Sequence, residues 1–212
     1  PLCRRQRQMC IRDRLWFLTN GNPQNGNGNC LYRSNGTAAG TTPFVCDTGT
    51  YGLELFNDEL YFSRSANYKG YELWKTDGTT SGTVMVKDIY TGTNSGLWSA
   101  TVFTSTEDYL YFSAKTGTAN IDNGIWRTDG TTAGTQLVKS GFVGYPTSAT
   151  RAVIGDVLYL RGTQYFSNSD SIPGLWSTDG TTNGTTLYTN YDGQFPNPCL
   201  LYTSDAADDI TG

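Results

Sequence analysis

The chain of 212 residues contains no histidine. That removes the Ser–His–Asp and Cys–His arrangements from the chemistry it can perform. Two carboxylates flanking a glycosidic bond work without histidine, so acidic residues are the remaining catalytic candidates. Most are turn residues that recur: Asp58, Asp108 and Asp156 in one turn, Asp77, Asp129 and Asp179 in another. A single active site should break such a repeat. Only Asp122 and Asp170 stand in variable segments, and no cluster of acids surrounds them. A second chemistry is recognition. Tyr90, Trp98, Tyr145 and Tyr165 lie outside the repeated pattern among Asn, Ser and Thr. There a ring can stack on a sugar while its neighbours bond hydroxyls; the competing role is to plug gaps between packed sheets. A third is calcium binding, for which each Asp-Gly-Thr loop offers hard oxygen ligands. Each loop carries one carboxylate and no Asp-x-Asp-x-Asp series, and the same aspartates suit Asx turns. No catalytic residue, metal or cofactor is therefore assigned.

These residues ride on a repeat. ELWKTDGTTSGT at 72–83 returns as IWRTDGTTAGT at 125–135 and LWSTDGTTNGT at 175–185, with a weaker copy, LYRSNGTAAGT, at 31–41. The copy at 52–89 resolves into four short strands: 53–56, 59–63, 71–76 and 83–89, separated by Asn57-Asp58, a polar loop and the Asp-Gly-Thr loop. Alternating apolar and aromatic residues between Gly, Asn and Asp clusters predict an all-β chain. Four-stranded units of 40–50 residues predict a β-propeller-like array of antiparallel blades. The blades are a partial one at 15–47 and full ones at 52–89, 100–139 and 151–189. About four are present, and an incomplete ring is expected. Trp74, Trp126 and Trp176 fall at one position of successive blades, where an indole suits packing of blade on blade. With them, Asp77, Asp129 and Asp179 are read as structural.

The ends read differently. Residues 4–13 and 199–209 resemble the two strands of one sequencing-adapter DNA, each translated in frame. This predicts a metagenomic-type insert, 15–198, between adapter-derived ends at 1–14 and 199–212. The insert keeps 10 basic and 15 acidic residues. That balance argues against a nucleic-acid partner, which needs a basic footprint. No apolar run reaches the roughly 20 residues that span a bilayer. Cys30 and Cys46 flank one hairpin, as a cross-strand disulfide or as two buried thiols.

The motif ELWKTDGTTSGTVMVKDI at 72–89 resembles the ELWxxDGTxxGTxLVKDI repeat of bacterial secreted and surface proteins. The resemblance implies a propeller-like fold in an extracellular setting, often beside adhesion-type domains, and it carries no catalytic residue. The expectation is a non-catalytic, secreted or cell-surface module for protein or glycan interaction and scaffolding, flanked by further blades, and no enzyme. The alternative is a fragment of a propeller-type glycoside hydrolase.

Overall fold

The computed structural model describes residues 10–11, 13–19, 29–46, 49–66, 68–98, 101–144 and 151–190. They form an all-β chain of four antiparallel sheets in sequence order. Sheet one holds β1 (Cys10–Ile11), β2 (Arg14–Thr19), β3 (Cys30–Ser34) and β4 (Thr42–Val45). Sheet two holds β5 (Thr50–Phe56), β6 (Glu59–Ser65), β7 (Tyr71–Thr76) and β8 (Val84–Lys87). Sheet three holds β9 (Thr104–Ser105), β10 (Leu110–Lys115), β11 (Asn123–Thr128) and β12 (Gln136–Ser140). Sheet four holds β13 (Phe142–Gly144), β14 (Arg151–Ile154), β15 (Val157–Tyr165), β16 (Ser171–Thr178) and β17 (Thr186–Asn190). Sheets one to three are meanders of neighbours in sequence, and sheet four is one apart from β13, which joins β15 beside β14; this is the architecture of propeller blades.

Three departures from the sequence reading have physical causes. The first blade does not begin at residue 15: β1 pairs with β2, and Ile11 is buried in one core with Trp16 and Leu31. The boundary at 14/15 is therefore not a boundary of the fold. Residues 162–173, which correspond to the polar loop of the 52–89 copy, belong largely to a long hairpin in which Gly162 pairs with Gly174 and Tyr165 with Ser171. Finally, Phe142–Gly144 pairs with the far end of β15 while β14 pairs with its near end. The lengthened hairpin thus gains a split first strand.

Three apolar cores join the sheets in order, and each contains one repeated indole. Trp74 packs with Trp16, Leu31 and Val45 of sheet one. Trp126 packs with Phe56, Tyr61 and Val86 of sheet two. Trp176 packs with Tyr111 and Val138 of sheet three. Each Trp is buried, and such burial stabilises by a few kcal/mol. At this position every sheet also carries a bulge between its third and fourth strands, between Leu73 and Trp74 and at the equivalent pairs. Lys87 and Lys139 lie over the Trp126 and Trp176 rings of the following sheet, adding cation–π attraction.

The Asp-Gly-Thr loop repeats atom for atom. The Asp129 carboxylate accepts the Thr131 N–H and hydroxyl, both at 2.8 Å. Thr131 Oγ1 accepts the Gly134 N–H, and the Thr135 hydroxyl donates to Thr131 O. Asn35, Asp77 and Asp179 do the same in their loops. The loop also clasps the preceding sheet. Thr132 and Thr182 donate to the carbonyls of Val86 and Val138. A Cβ on Gly130 would stand 2.6 Å from the Tyr61 hydroxyl, and one on Gly180 2.7 Å from that of Tyr111.

In sheet one Cys30 and Cys46 are joined by a disulfide, which settles the two readings of these cysteines.

Two stability measurements test this account. Gly130 has φ +96° and Gly36 φ +89°, with nothing near a Cβ at Gly36. Alanine at either carries the left-handed backbone cost of about 1 kcal/mol. Gly130→Ala must also displace Tyr61, so chemical denaturation should show it costing roughly 2–4 kcal/mol, clearly more than Gly36→Ala. Equal losses would show that the Tyr–Gly contact holds nothing. Replacing Cys30 and Cys46 together by Ser should cost about 3 kcal/mol, as for a loop near this length; an unchanged denaturation midpoint would remove the disulfide from the stability of the fold.

Candidate functional site

Aligning the four sheets by register shows where the repeat breaks. Opposite the repeated strand-two aromatic, β5 presents Glu54 to Tyr61, β9 presents Thr104 to Tyr111 and β14 presents Ala152 to Tyr159. The first strands of sheets two and three, β5 and β9, lie against each other, at the edge of the meander that faces inward in a propeller-like array. Among the described residues Glu54 is the one acid on these inner strands. It sits just past a bulge between Tyr51 and Glu54. Bulges re-aim side chains and are frequent beside active sites. Gly52 makes this bulge, with φ +57° and a Cβ position 2.3 Å from Thr101 O, so no other residue fits. The Ser105 hydroxyl of the next sheet donates to Glu54 Oε1 at 3.0 Å. Ser105 itself replaces an apolar residue: it pairs with Leu110 where Leu55 pairs with Leu60 and Val153 with Leu158. Beside it, Arg151 of sheet four donates to Phe103 O at 2.6 Å.

A second acid breaks the repeat on β7. Glu72 stands where the other sheets have Cys30, Gly124 and Gly174. It is fully buried. Its two oxygens accept the N–H groups of Ile89 at 2.7 Å and Gly96 at 2.8 Å. Burial pushes its pKa up to about 7, against the pull of the Ile89, Gly96 and Tyr90 N–H groups. Glu72 thus ties down the connector between sheets two and three. Leu97 N–H donating to Tyr71 O, and Lys115 N–H donating to Gly96 O, complete the anchorage. The connector continues into a turn in which the Thr101 hydroxyl and N–H both meet Trp98 O. Thr101 O is the atom that crowds Gly52. One run of contacts therefore joins Glu72, through Gly96, Trp98 and Thr101, to the bulge that sets Glu54.

The residues singled out from sequence fall in several places. Tyr90 and Trp98 share the Glu72-anchored connector; Trp98 is 37% exposed, with Lys115 Nζ 6.0 Å from its ring centroid. Tyr165 ends β15 in sheet four, where its N–H donates to Gly141 O at 2.6 Å. No hydrogen bond or ring contact joins it to Tyr90 or Trp98 among the described residues. Tyr145 lies outside the described residues. Trp74, Trp126 and Trp176 are buried between sheets, their indole nitrogens without an acceptor among the described residues. Asp77, Asp129 and Asp179 hold the loops. Hydrogen bonds from Thr131 and Thr181 keep Asp129 and Asp179 below the usual carboxylate range. Asp122 accepts the Ala119 N–H around a 3₁₀ turn, and Asp170 closes the β15–β16 turn through its backbone. Neither is free of a local structural task. Sequence reasoning missed Glu54 and Glu72. Their signal was present, as single departures from the repeat at aligned positions.

No family model and no curated protein matches the chain. Among solved structures it is similar to an alpha-L-arabinofuranosidase from Clostridium thermocellum, at 9% identity over 85% of this chain and 70% of that one, TM-score 0.38. It is similar also to an endo-arabinase from Bacteroides thetaiotaomicron, at 12% identity over 85% of this chain and 77% of that one, TM-score 0.36. Both are glycoside hydrolases. Against this finding the expectation of a non-catalytic interaction and scaffolding module, and of a chain that is no enzyme, does not stand. That expectation found no cluster of acids breaking the repeat and singled out only Asp122 and Asp170; Glu54 and Glu72 depart from the repeat as well.

Glu72 yields a pH prediction. Its folded pKa, about 7, lies above the ordinary value of 4.5. Between these two values the folded chain holds a proton that the unfolded chain has released, so stability falls as pH rises from about 4.5 to 7 and is flat in this contribution outside that window. Urea denaturation across this range should show the decline in the wild type, and Glu72→Gln should flatten it. A wild-type stability rising through the window, with Glu72→Gln following the same curve, would show that Glu72 is ionised throughout.

Proposed function

We propose that this chain is part of a propeller-type glycoside hydrolase and that Glu54 is a carboxylate it brings to the reaction. The observation that carries the reading is Glu54 itself: an acid on the inner strands, placed by a glycine bulge and held by Ser105 of the neighbouring sheet. Glycoside hydrolysis asks for two carboxylates on opposite sides of the scissile bond. Among the described residues no other inner strand carries an acid, and the second carboxylate is not assigned. The exposed Trp98 on its anchored connector gives a ring on which a sugar can stack.

An extracellular setting is part of the proposal. The Cys30–Cys46 disulfide supports an oxidising compartment, and the resemblance to the repeat of bacterial secreted and surface proteins points the same way. Nucleic acid is not proposed as a partner, given the acidic balance of the chain.

Release of nitrophenol from a panel of nitrophenyl glycosides, and of reducing ends from polysaccharides, tests the reading. The wild-type chain should turn over at least one of them, and Glu54→Gln should lower that rate by a factor of about 100 or more with the fold intact. No turnover by the wild type, or a Glu54→Gln variant as active as the wild type, would refute it.

A further inference from the structure

The repeat is also broken at the junction of sheets three and four. β15 runs past its repeated tyrosine from Tyr159 to Tyr165, whereas β6 runs only from Tyr61 to Ser65 and β10 from Tyr111 to Lys115. The longer hairpin is held over sheet three. The Tyr165 N–H donates to Gly141 O at 2.6 Å, the Gln164 amide to Ser140 O at 3.0 Å and the Asn120 N–H to Asn168 Oδ1 at 3.1 Å. Between this hairpin and β12 lies a cleft of about 360 Å³, a size that small-ligand sites have. Leu137, Lys139 and Ser140 of β12, Gln164 and Phe166 of the hairpin, and Thr182 line it. β12 is the edge of sheet three opposite β9, so the cleft stands apart from Glu54.

Three of the lining groups are left unmatched. Gln164 is 7% exposed, and its amide N–H groups are taken by Ser140 O and Tyr165 O. Its carbonyl oxygen accepts nothing among the described residues, which is costly for a buried acceptor. Lys139 departs from its counterpart in sheet two. There Lys87 donates to Thr135 O at 2.6 Å. Lys139 makes no hydrogen bond or ion pair among the described residues, and its Nζ lies 5.4 Å from the Trp176 ring centroid. Phe166 leaves 59% of its surface exposed.

We infer that this cleft is a second sugar site, which holds a neutral polysaccharide away from the reacting bond. The ligand class rests on the glycoside-hydrolase reading; the cleft itself does not. A sugar ring matches all three groups at once. It brings a hydroxyl donor for the Gln164 carbonyl, a hydroxyl or ring oxygen for the Lys139 ammonium and an apolar C–H face for the Phe166 ring. An acidic polymer would suit Lys139 alone, and the net charge of −4 on the chain repels it.

Gel retardation of the full chain by soluble arabinan, xylan and β-glucan, with polygalacturonate as the acidic polymer, tests this. Glu54→Gln serves as the background, so that the polymer is not consumed. At least one neutral polymer should retard the chain. Phe166→Ala and Lys139→Met, added singly, should each weaken that retardation about tenfold while melting as the background does. Tyr68→Ala, at an aromatic side chain 94% exposed on sheet two, should leave it unchanged. No retardation by any neutral polymer, retardation by polygalacturonate alone, or retardation that either cleft variant leaves unchanged would overturn the inference. Binding is read without turnover. A wild type that hydrolyses nothing, yet is retarded through Phe166 and Lys139, would therefore refute the catalytic reading and uphold the cleft.

Discussion

The array depends on how closely one loop approaches the sheet before it. The Tyr61 hydroxyl occupies the place where any side chain on Gly130 would begin, and Tyr111 does so at Gly180. That contact is possible only if the loop backbone is fixed, because a mobile loop would not hold a hydroxyl at van der Waals distance. Fixing it is the work of the aspartate. Its carboxylate gathers the Thr N–H and hydroxyl, and that Thr in turn holds the second glycine and the next threonine. With the loop rigid, the indole beside it has one place to pack, and the lysine of the preceding sheet has one ring to cover. Sequence pattern, loop geometry and sheet packing are thus successive consequences of one short polar network.

A structure made of copies makes its exceptions conspicuous. Two occur at one strand-three position. Sheet one has Cys30 bonded to Cys46, sheet two has the buried Glu72, and sheets three and four have glycines. The disulfide and the carboxylate solve one problem by different chemistry, each binding strand three to the chain that leaves strand four. The solutions are not equivalent. A disulfide holds two points, whereas two carboxylate oxygens hold two separate N–H groups, at Ile89 and Gly96, and shape the whole connector between them. Burying an acid to do so carries a desolvation cost. That cost is better explained by a connector that must keep its shape than by stability alone, for which glycine serves in sheets three and four.

Fold was far more legible in the sequence than function, and the reason is redundancy. Trp74, Trp126 and Trp176 and the three Asp-Gly-Thr loops state the same instruction several times, so the four-stranded blade could be read with strand three at residues 71–76, as found. What appears once was harder to read. Ile11 is buried although its neighbours read as foreign sequence, and Phe142–Gly144 pairs because β15 is longer than its counterparts. Tyr90 and Trp98 were noticed as exceptions and share one connector, but Tyr165 ends a strand in another sheet. Glu54 was passed over although it lies in the strand read at 53–56: the first strands share no motif, and their correspondence is visible only through pairing with the second strands.

The two exceptional acids are not independent. From Glu72 the contacts run through Gly96 to the Trp98–Thr101 turn, and Thr101 O presses on Gly52, whose positive φ sets the bulge before Glu54. The links run through the Gly96 N–H, Trp98 O and Thr101 O of the backbone, with the Glu72 carboxylate and the Thr101 hydroxyl as their side-chain members. Catalytic groups need placement within a fraction of an ångström, and rigid supports supply it. A repeat scaffold offers such supports in quantity but makes all its blades alike. Distinguishing one blade requires a bulge, a polar anchor and an acid together, because any one alone would be absorbed by the packing of its neighbours. Sheet two carries all three, and this is what supports the proposed place of the carboxylate at the inner edge between sheets two and three rather than at the aromatic loops around it.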